Sequence, residues 1–374
     1  MYEEVLTKLS RMGELRIISR TSMERIAEKK LEVSAIGQRL GVSHVLEGSV
    51  RRAGDQIRVT VQLIEATSDA HIWAENYDRK LDDVFAIQSE IALAIADQLK
   101  LTLSPELQAN LSERPTQNQE AYALYLRALN DSRSWRGVSG FQTLIALLEP
   151  AVQLDPDFLA AKLLLADAYG RMHWLRADPD GSFASKAQAL AAEITQRWPE
   201  RPEALLAQGQ IHYNIERDDA RALAAFKAVQ MRLPNHPAVM TAISASLKRL
   251  GRFDEFLDAA QAALVADPES PRAHGEVFLA LESTLRYDEA LAHAERMRQK
   301  FPEYVPADAS LARIKLWRNQ DIDAYLDFGR RAGSSIDPQE ISLLLFARFV
   351  RGDIDGALTL LQVAEQSTTP REAA

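Results

Sequence analysis

The 374-residue chain contains no cysteine, which excludes disulfide cross-links, thiol nucleophiles and thiolate metal sites. It also lacks a long apolar run. No stretch approaches the roughly 18 residues that a membrane-spanning helix needs, and the opening Met1-Tyr2-Glu3-Glu4-Val5 does not read as a signal peptide. Cytoplasm is then the default compartment, and a membrane span upstream would make it the periplasm. Positive charge is in deficit, with Lys+Arg 44 against Asp+Glu 53 and a net charge of −9, so nucleic acid is not an expected partner. Phosphate-cradling glycine loops are absent; the nearest glycines, Gly37 and Gly41, read as packing and as a helix cap. What is present, 47% hydrophobic and 26% charged residues, is ordinary globular composition with room for two or three domains.

The chain repeats itself. Prolines recur at 156, 199, 234, 268, 302 and 338, at intervals of 43, 35, 34, 34 and 36 residues. Two apolar-periodic stretches of three to four helical turns lie between consecutive prolines, split by breaks such as Arg217-Asp218-Asp219, Gly251-Arg252-Phe253 and Arg286-Tyr287-Asp288. Proline is tolerated in the first turn of a helix and not inside one, so each marks the end of a helical pair. Alanines at spacings of three and four (Ala222 and Ala225; Ala260 and Ala263; Ala290 and Ala294) allow close helix approach. The period near 34, the small-residue rows and the closing proline resemble the tetratricopeptide repeat. Five units are expected between about Gln119 and Phe301, a degenerate sixth over Ala307–Gly333 and a terminal pair over Gln339–Glu365. The departures are Ala166, Ser244 and Phe278, where that family often has glycine. A non-repetitive helical bundle is the alternative, and near-equal intervals argue against it.

The first hundred residues read differently. Leu15–Ile18 is expected as a short strand and Val33–Leu40 as a helix stopped by Gly41. Val45–Arg52, Ile57–Glu65 and Ala70–Tyr77 are expected as an antiparallel meander; the second alternates Ile57, Val59, Val61 and Leu63 with polar residues. A helix with Val84, Ile87, Ile91, Ile95 and Leu99 on one stripe closes the region. The run Ile36-Gly37-Gln38-Arg39-Leu40-Gly41-Val42-Ser43-His44-Val45-Leu46-Glu47-Gly48-Ser49-Val50-Arg51-Arg52, with Ala70–Asp78 and Phe85–Gln88, is similar to the TolB N-terminal-like (FlgO-like) domain. The resemblance implies a bacterial regulatory protein in which that domain precedes tetratricopeptide repeats and follows an adenylate/guanylate cyclase or winged-helix effector. It also implies a strand upstream of the helix expected at Glu3–Arg11, so a sheet position beside Leu15–Ser19 is expected to stand unpaired. Such an edge invites association between copies. The expected fold class is a small α+β domain over 1–103, a linker over 104–118, an all-α superhelical solenoid over 119–366 and a disordered tail over 367–374.

Catalytic chemistry is hard to find. The seven histidines (44, 71, 173, 212, 236, 274, 293) fall one to an element, with no i, i+4 metal-ligating pair. Glu47, Glu65, Glu75 and Asp78 either converge for acid–base work or decorate the solvated face of a sheet; the second reading is preferred, and no enzyme, metal or cofactor is expected. The solenoid's first helices offer a basic and amide stripe instead: Arg127, Asn130, Arg171, Asn214, Lys248, Arg249, Lys315, Arg318 and Asn319. Asparagine can hold a peptide backbone while Arg and Lys select carboxylates, so an extended acidic peptide or chain terminus is the expected partner. Cations near helix C-termini are also favoured by the helix dipole, by roughly 0.3–1 kcal/mol each, with no ligand at all. Tyr122, Tyr125, Tyr169, Tyr213 and Trp317 read mostly as core.

Overall fold

The computed structural model describes every residue except 1–4, 7, 10, 11, 14, 81–83, 102, 131–136, 235, 333–337 and 369–374. The helix expected at Glu3–Arg11 and the turn at Ser134–Gly140 fall partly outside the described residues, as does most of the expected tail. The chain forms two compact units, Met1–Gly251 and Arg252–Ala374.

The first unit begins with helices α1 (Arg20–Ala27) and α2 (Val33–Leu40). Ser19 caps α1, its Oγ accepting from the Ser22 N–H at 3.3 Å. Gly41, at φ +63°, stops α2 in the left-handed region, as expected of that glycine. Strands β1 (His44–Ala53), β2 (Gln56–Glu65) and β3 (Ala70–Lys80) then form an antiparallel sheet in that order. Register places Val50 opposite Val59, and Val59 opposite Tyr77. Alternation buries Ile57, Val59, Val61 and Leu63 on one face, where helix α3 (Val84–Gln98) supplies Ile87, Ile91 and Ile95. The polar face is solvated. Arg58 pairs with Asp78 at 2.6 Å, Gln62 donates to Glu47 at 3.0 Å, and Ser68 donates to Glu65. These carboxylates hold separate partners and share no cleft.

Two local expectations need correcting. Leu15–Ile18 is not a strand of the sheet. Its Ile18 side chain is buried with Ile26, Ile36, Leu40, Val45 and Ala66, while the Arg16 guanidinium donates to the Leu40 carbonyl at 3.2 Å and to that of Gly41. Side-chain anchoring, not ladder bonding, holds this segment. β1 and β3 are the edges of the sheet; on β1, Val50 is 54% accessible although its partner Val59 is buried, and a slot of about 520 Å³ separates β1 from α1. Within the stretch expected as linker, Pro105–Ser112 forms helix α4, whose Leu111 is fully buried in the sheet's own core. Lys8 reinforces that contact, its buried ammonium donating to the carbonyls of Leu111 at 2.5 Å and Glu113 at 3.1 Å.

Helical hairpins follow: α5 (Gln119–Asn130) with α6 (Gly137–Leu154), α7 (Leu159–Trp174) with α8 (Ser182–Arg197), and α9 (Pro202–Ile211) with α10 (Asp219–Arg232), then α11 (Pro237–Arg249). Of the recurring prolines, Pro156, Pro199, Pro234, Pro268 and Pro302 sit in turns and Pro338 opens a helix, while second prolines at 202 and 237 occupy the first helical turn. Ala207 and Ala222 are fully buried, as close packing of neighbouring helices requires. Gln88 of α3 donates to the Tyr122 hydroxyl of α5 at 3.3 Å, a buried polar joint between sheet domain and first hairpin.

The second unit continues the pattern with α12 (Phe253–Ala266), α13 (Pro271–Ser283), α14 (Tyr287–Lys300), α15 (Val305–Asn319), α16 (Ile322–Ala332), α17 (Pro338–Val350) and α18 (Ile354–Thr368). Phe278, Met297, Tyr325, Phe328 and Leu344 are its buried anchors. A small antiparallel α+β domain followed by repeated helical hairpins is the fold. Among the described residues no helix is long and apolar enough to cross a membrane.

Candidate ligand groove on the first helices

Helix α7 reads Leu159-Ala160-Ala161-Lys162-Leu163-Leu164-Leu165-Ala166-Asp167, and its 3.6-residue period turns Ala160, Leu163, Leu164 and Asp167 to one side. Those residues, with Tyr125 and Leu129 of α5 and Leu206 and Gln210 of α9, line a cleft of about 940 Å³. An apolar floor with a few polar groups is the usual make-up of a binding cleft. The Glu113–Asn118 segment closes one end. Its rim is cross-linked: Arg201 pairs with Glu113 at 2.7 Å, Arg197 with Asp157, and Thr116 with Asp155.

Beyond Asp167, outside the lining of the cleft, lies a polar and aromatic cluster. Asp167 accepts from Asn214 at 3.2 Å and from Arg171 at 3.4 Å, and the Asp167 carboxylate raises the Arg171 pKa despite burial. Asn214 lies buried on a π-helical turn, His212–Glu216, that prolongs α9. It fits because α7 has glycine opposite: a Cβ at Gly170 would stand 3.2 Å from the Asn214 Cβ and Nδ2 atoms. Trp174 stacks on Tyr213 with ring centroids 5.2 Å apart and planes 12° from parallel. The Arg217 guanidinium lies 3.6 Å from the Trp174 centroid, and that of Arg249 lies 4.4 Å from it and 4.8 Å from Tyr213. Burial, with Arg249 and Arg176 nearby, pushes the Arg217 pKa down. Arg249 pairs with Asp219 at 3.0 Å; burial raises the Asp219 pKa against that cation's pull. Two buried acceptors, Gln210 Oε1 and Asn214 Oδ1, find no hydrogen-bond partner among the described residues.

The structure therefore gathers Arg171, Asn214 and Arg249 at one end of this face. Lys248 is half-buried on α11, and Arg127 is exposed on α5. Asn130 ends α5, and its side chain lies outside the described residues. Lys315, Arg318 and Asn319 belong to the second unit, where Arg318 pairs with Asp288 at 2.6 Å and also donates to Asn319 at 3.4 Å. Trp317, expected as core, is 49% accessible, and Tyr213 is half-buried in its stack. Asp167, Trp174, Gln210 and Arg217 escaped the sequence reading. The signal was available in the steps of three and four that join Leu163, Asp167, Arg171 and Trp174 on one helix face.

No family model matches the chain. A relative named putative adenylate cyclase 3, from Rhizobium meliloti (strain 1021), is 33% identical over 196 residues, 51% of this chain and 32% of that protein. The chain thus spans about a third of that relative's length. Among solved structures, it is similar to a tetratricopeptide repeat protein from Parabacteroides merdae at 11% identity and a TM-score of 0.48, covering 68% of this chain and 96% of that one. A thermophilic tetratricopeptide repeat protein of Thermus thermophilus aligns at 16% identity and a TM-score of 0.41, over 52% of this chain and 99% of that one.

Proposed function

We propose that this chain is a non-catalytic regulatory scaffold, and that an extended protein or peptide segment binds along the first-helix face of its repeats. The observation that carries the reading is the cleft itself, with its apolar floor and the buried amide acceptor of Gln210, next to an arginine–aromatic cluster that begins where Asp167 meets Asn214. Apolar side chains of the partner seat on Leu163, Leu164 and Leu206. An acidic residue of the partner meets the field of Arg176, Arg217 and Arg249. Bacterial signalling is the proposed setting, with a TolB N-terminal-like domain at residues 1–103 as the attached module.

Affinity capture with mass spectrometry tests this directly. Reversal of Arg171 and Lys248 to Glu, and separately of Arg318 to Glu, leaves helicity by circular dichroism intact and removes captured partners; unchanged capture overturns the reading. A second reading is favoured by the relative named putative adenylate cyclase 3. In it the chain is the regulatory part of a longer cyclase or winged-helix regulator whose effector domain lies upstream. Sequencing the genomic region 5′ of the Met1 codon distinguishes them, since an in-frame effector domain supports the second reading.

A further inference from the structure

The last hairpin carries an apolar face that no described element covers. On α17, Phe346 is 58%, Phe349 68% and Val350 49% accessible, at i, i+3 and i+4 on one side of the helix. On α18, Ile354 is 49%, Leu358 54% and Leu361 43% accessible, again one stripe. Leu358 and Leu361 stand four and seven residues into α18; Leu223 and Phe226 hold those positions in α10, and Leu257 and Ala260 hold them in α12. All four of those counterparts are buried. Leu360, by contrast, packs back into the cluster of Tyr325, Phe328 and Leu344. The exposed stripe thus occupies positions whose counterparts in other repeats are buried.

We infer that this face is a homodimer interface, covered by the same α17–α18 face of a second copy. Size supports it: the six side chains expose roughly 500 Å² per copy, so a two-fold contact buries about 1,000 Å² of apolar surface before any rim is counted, which is what a specific interface needs. Charge supports it too. At the rim, Arg348 pairs with Asp353 at 2.6 Å and Arg351 with Asp323 at 2.5 Å, all within one chain. Two identical faces therefore meet with their cations already compensated. None of the groove residues takes part, so the inference stands apart from the proposed function.

Analytical ultracentrifugation of the full chain tests it. At about 100 µM the wild type sediments as a dimer, and Phe349→Asp and Leu358→Asp each weaken the dimer by at least about tenfold. Val50→Lys, on the exposed sheet edge, leaves the dimer intact. A monomeric wild type, or a dimer that Val50→Lys breaks and the other two spare, overturns the inference. Because the chain has no cysteine, Leu361→Cys supplies a second readout that needs no loss of folding. Its thiol labels slowly at high protein concentration and quickly on dilution if the face is covered, and labelling at one rate throughout counts against the dimer.

Discussion

The same register position does opposite things in the two units. Asp167 stands eleven residues after Pro156, Gln210 eleven after Pro199 and Arg313 eleven after Pro302. In the first unit, that position lines an open cleft through Asp167 and Gln210. In the second, Arg313 bridges Glu282 of α13 at 2.8 Å and Glu340 of α17 at 2.5 Å, over the ring of Phe278. Tyr325 donates its hydroxyl to the same Glu340; burial and that carboxylate push the tyrosine pKa up. One hairpin geometry therefore yields a receptive surface or a self-satisfied one. Asp167 is met by Asn214 and Arg171 and still lines the cleft, whereas Arg313 is held between two carboxylates of neighbouring helices.

Removing the clamp is the most severe way to break that contrast. Arg313→Ala strands two carboxylates and is expected to cost the second unit about 3 kcal/mol, read as an earlier urea transition with the first unit's transition unmoved. Arg313→Met, which fills the space without a charge, leaves Glu282 and Glu340 facing each other and recovers little of the loss.

Acid strikes the second unit next. The rings of His274 and His293 lie tilted against each other with centroids 5.2 Å apart, and burial pushes His274 down to about 4 against its hydrogen bond to the Pro268 carbonyl, with Lys300 and His293 adding to the shift. His293 is lowered too, again chiefly by burial. Both are neutral in the folded state, whereas the unfolded chain protonates near pH 6.5. Their contribution is complete above that value and drains away as pH falls toward 4. Asp178 is held below the usual carboxylate range because the N–H groups of Phe183 and Ala184 and the His173 ring outweigh its burial, so its contribution fades only at lower pH. Thermal melts from pH 7 to 4 should show the second unit weakening first, and His274→Asn should flatten its slope.

Glycine gives the finest comparison. A Cβ at Gly209 of α9 would lie 2.5 Å from Phe226 Cε1, whereas one at Gly275 of α13 would meet nothing within 4 Å. Gly209→Ala should destabilise the first unit by about 2 kcal/mol through overpacking. Gly275→Ala should stabilise the second by about 0.5–1 kcal/mol through helix propensity alone. Denaturant midpoints for the two variants decide both signs.

The repeat was legible because proline spacing and alanine rows are written along the chain, and the meander because β2 alternates so cleanly. The groove was half legible. Arg171, Asn214 and Arg249 could be picked out as residue types, but which carboxylate each would meet depends on neighbouring hairpins. Asp219 of α10 compensates Arg249 of α11 for that reason, whereas the Asp167–Arg171 pair is an i, i+4 contact on α7 itself. Leu15–Ile18 has the composition of a strand, yet burying Ile18 against α1 and α2 competes with pairing, and the anchoring prevails. Helix α4 was missed for the same reason in reverse: Ser112–Asn118 is polar and carries a proline, which hides the single buried leucine just before it.

The joint between Gln88 and Tyr122 has a mechanical consequence. Tyr122 sits one turn before Tyr125 on the same rigid rod, and Tyr125 lines the cleft. Anything that pries against Tyr125 loads a lever whose far side is pinned to α3, the helix under β2. Torque applied in the groove thus reaches the sheet without passing through a flexible tether, because the α4 segment between them is itself packed against that helix and bolted down by Lys8.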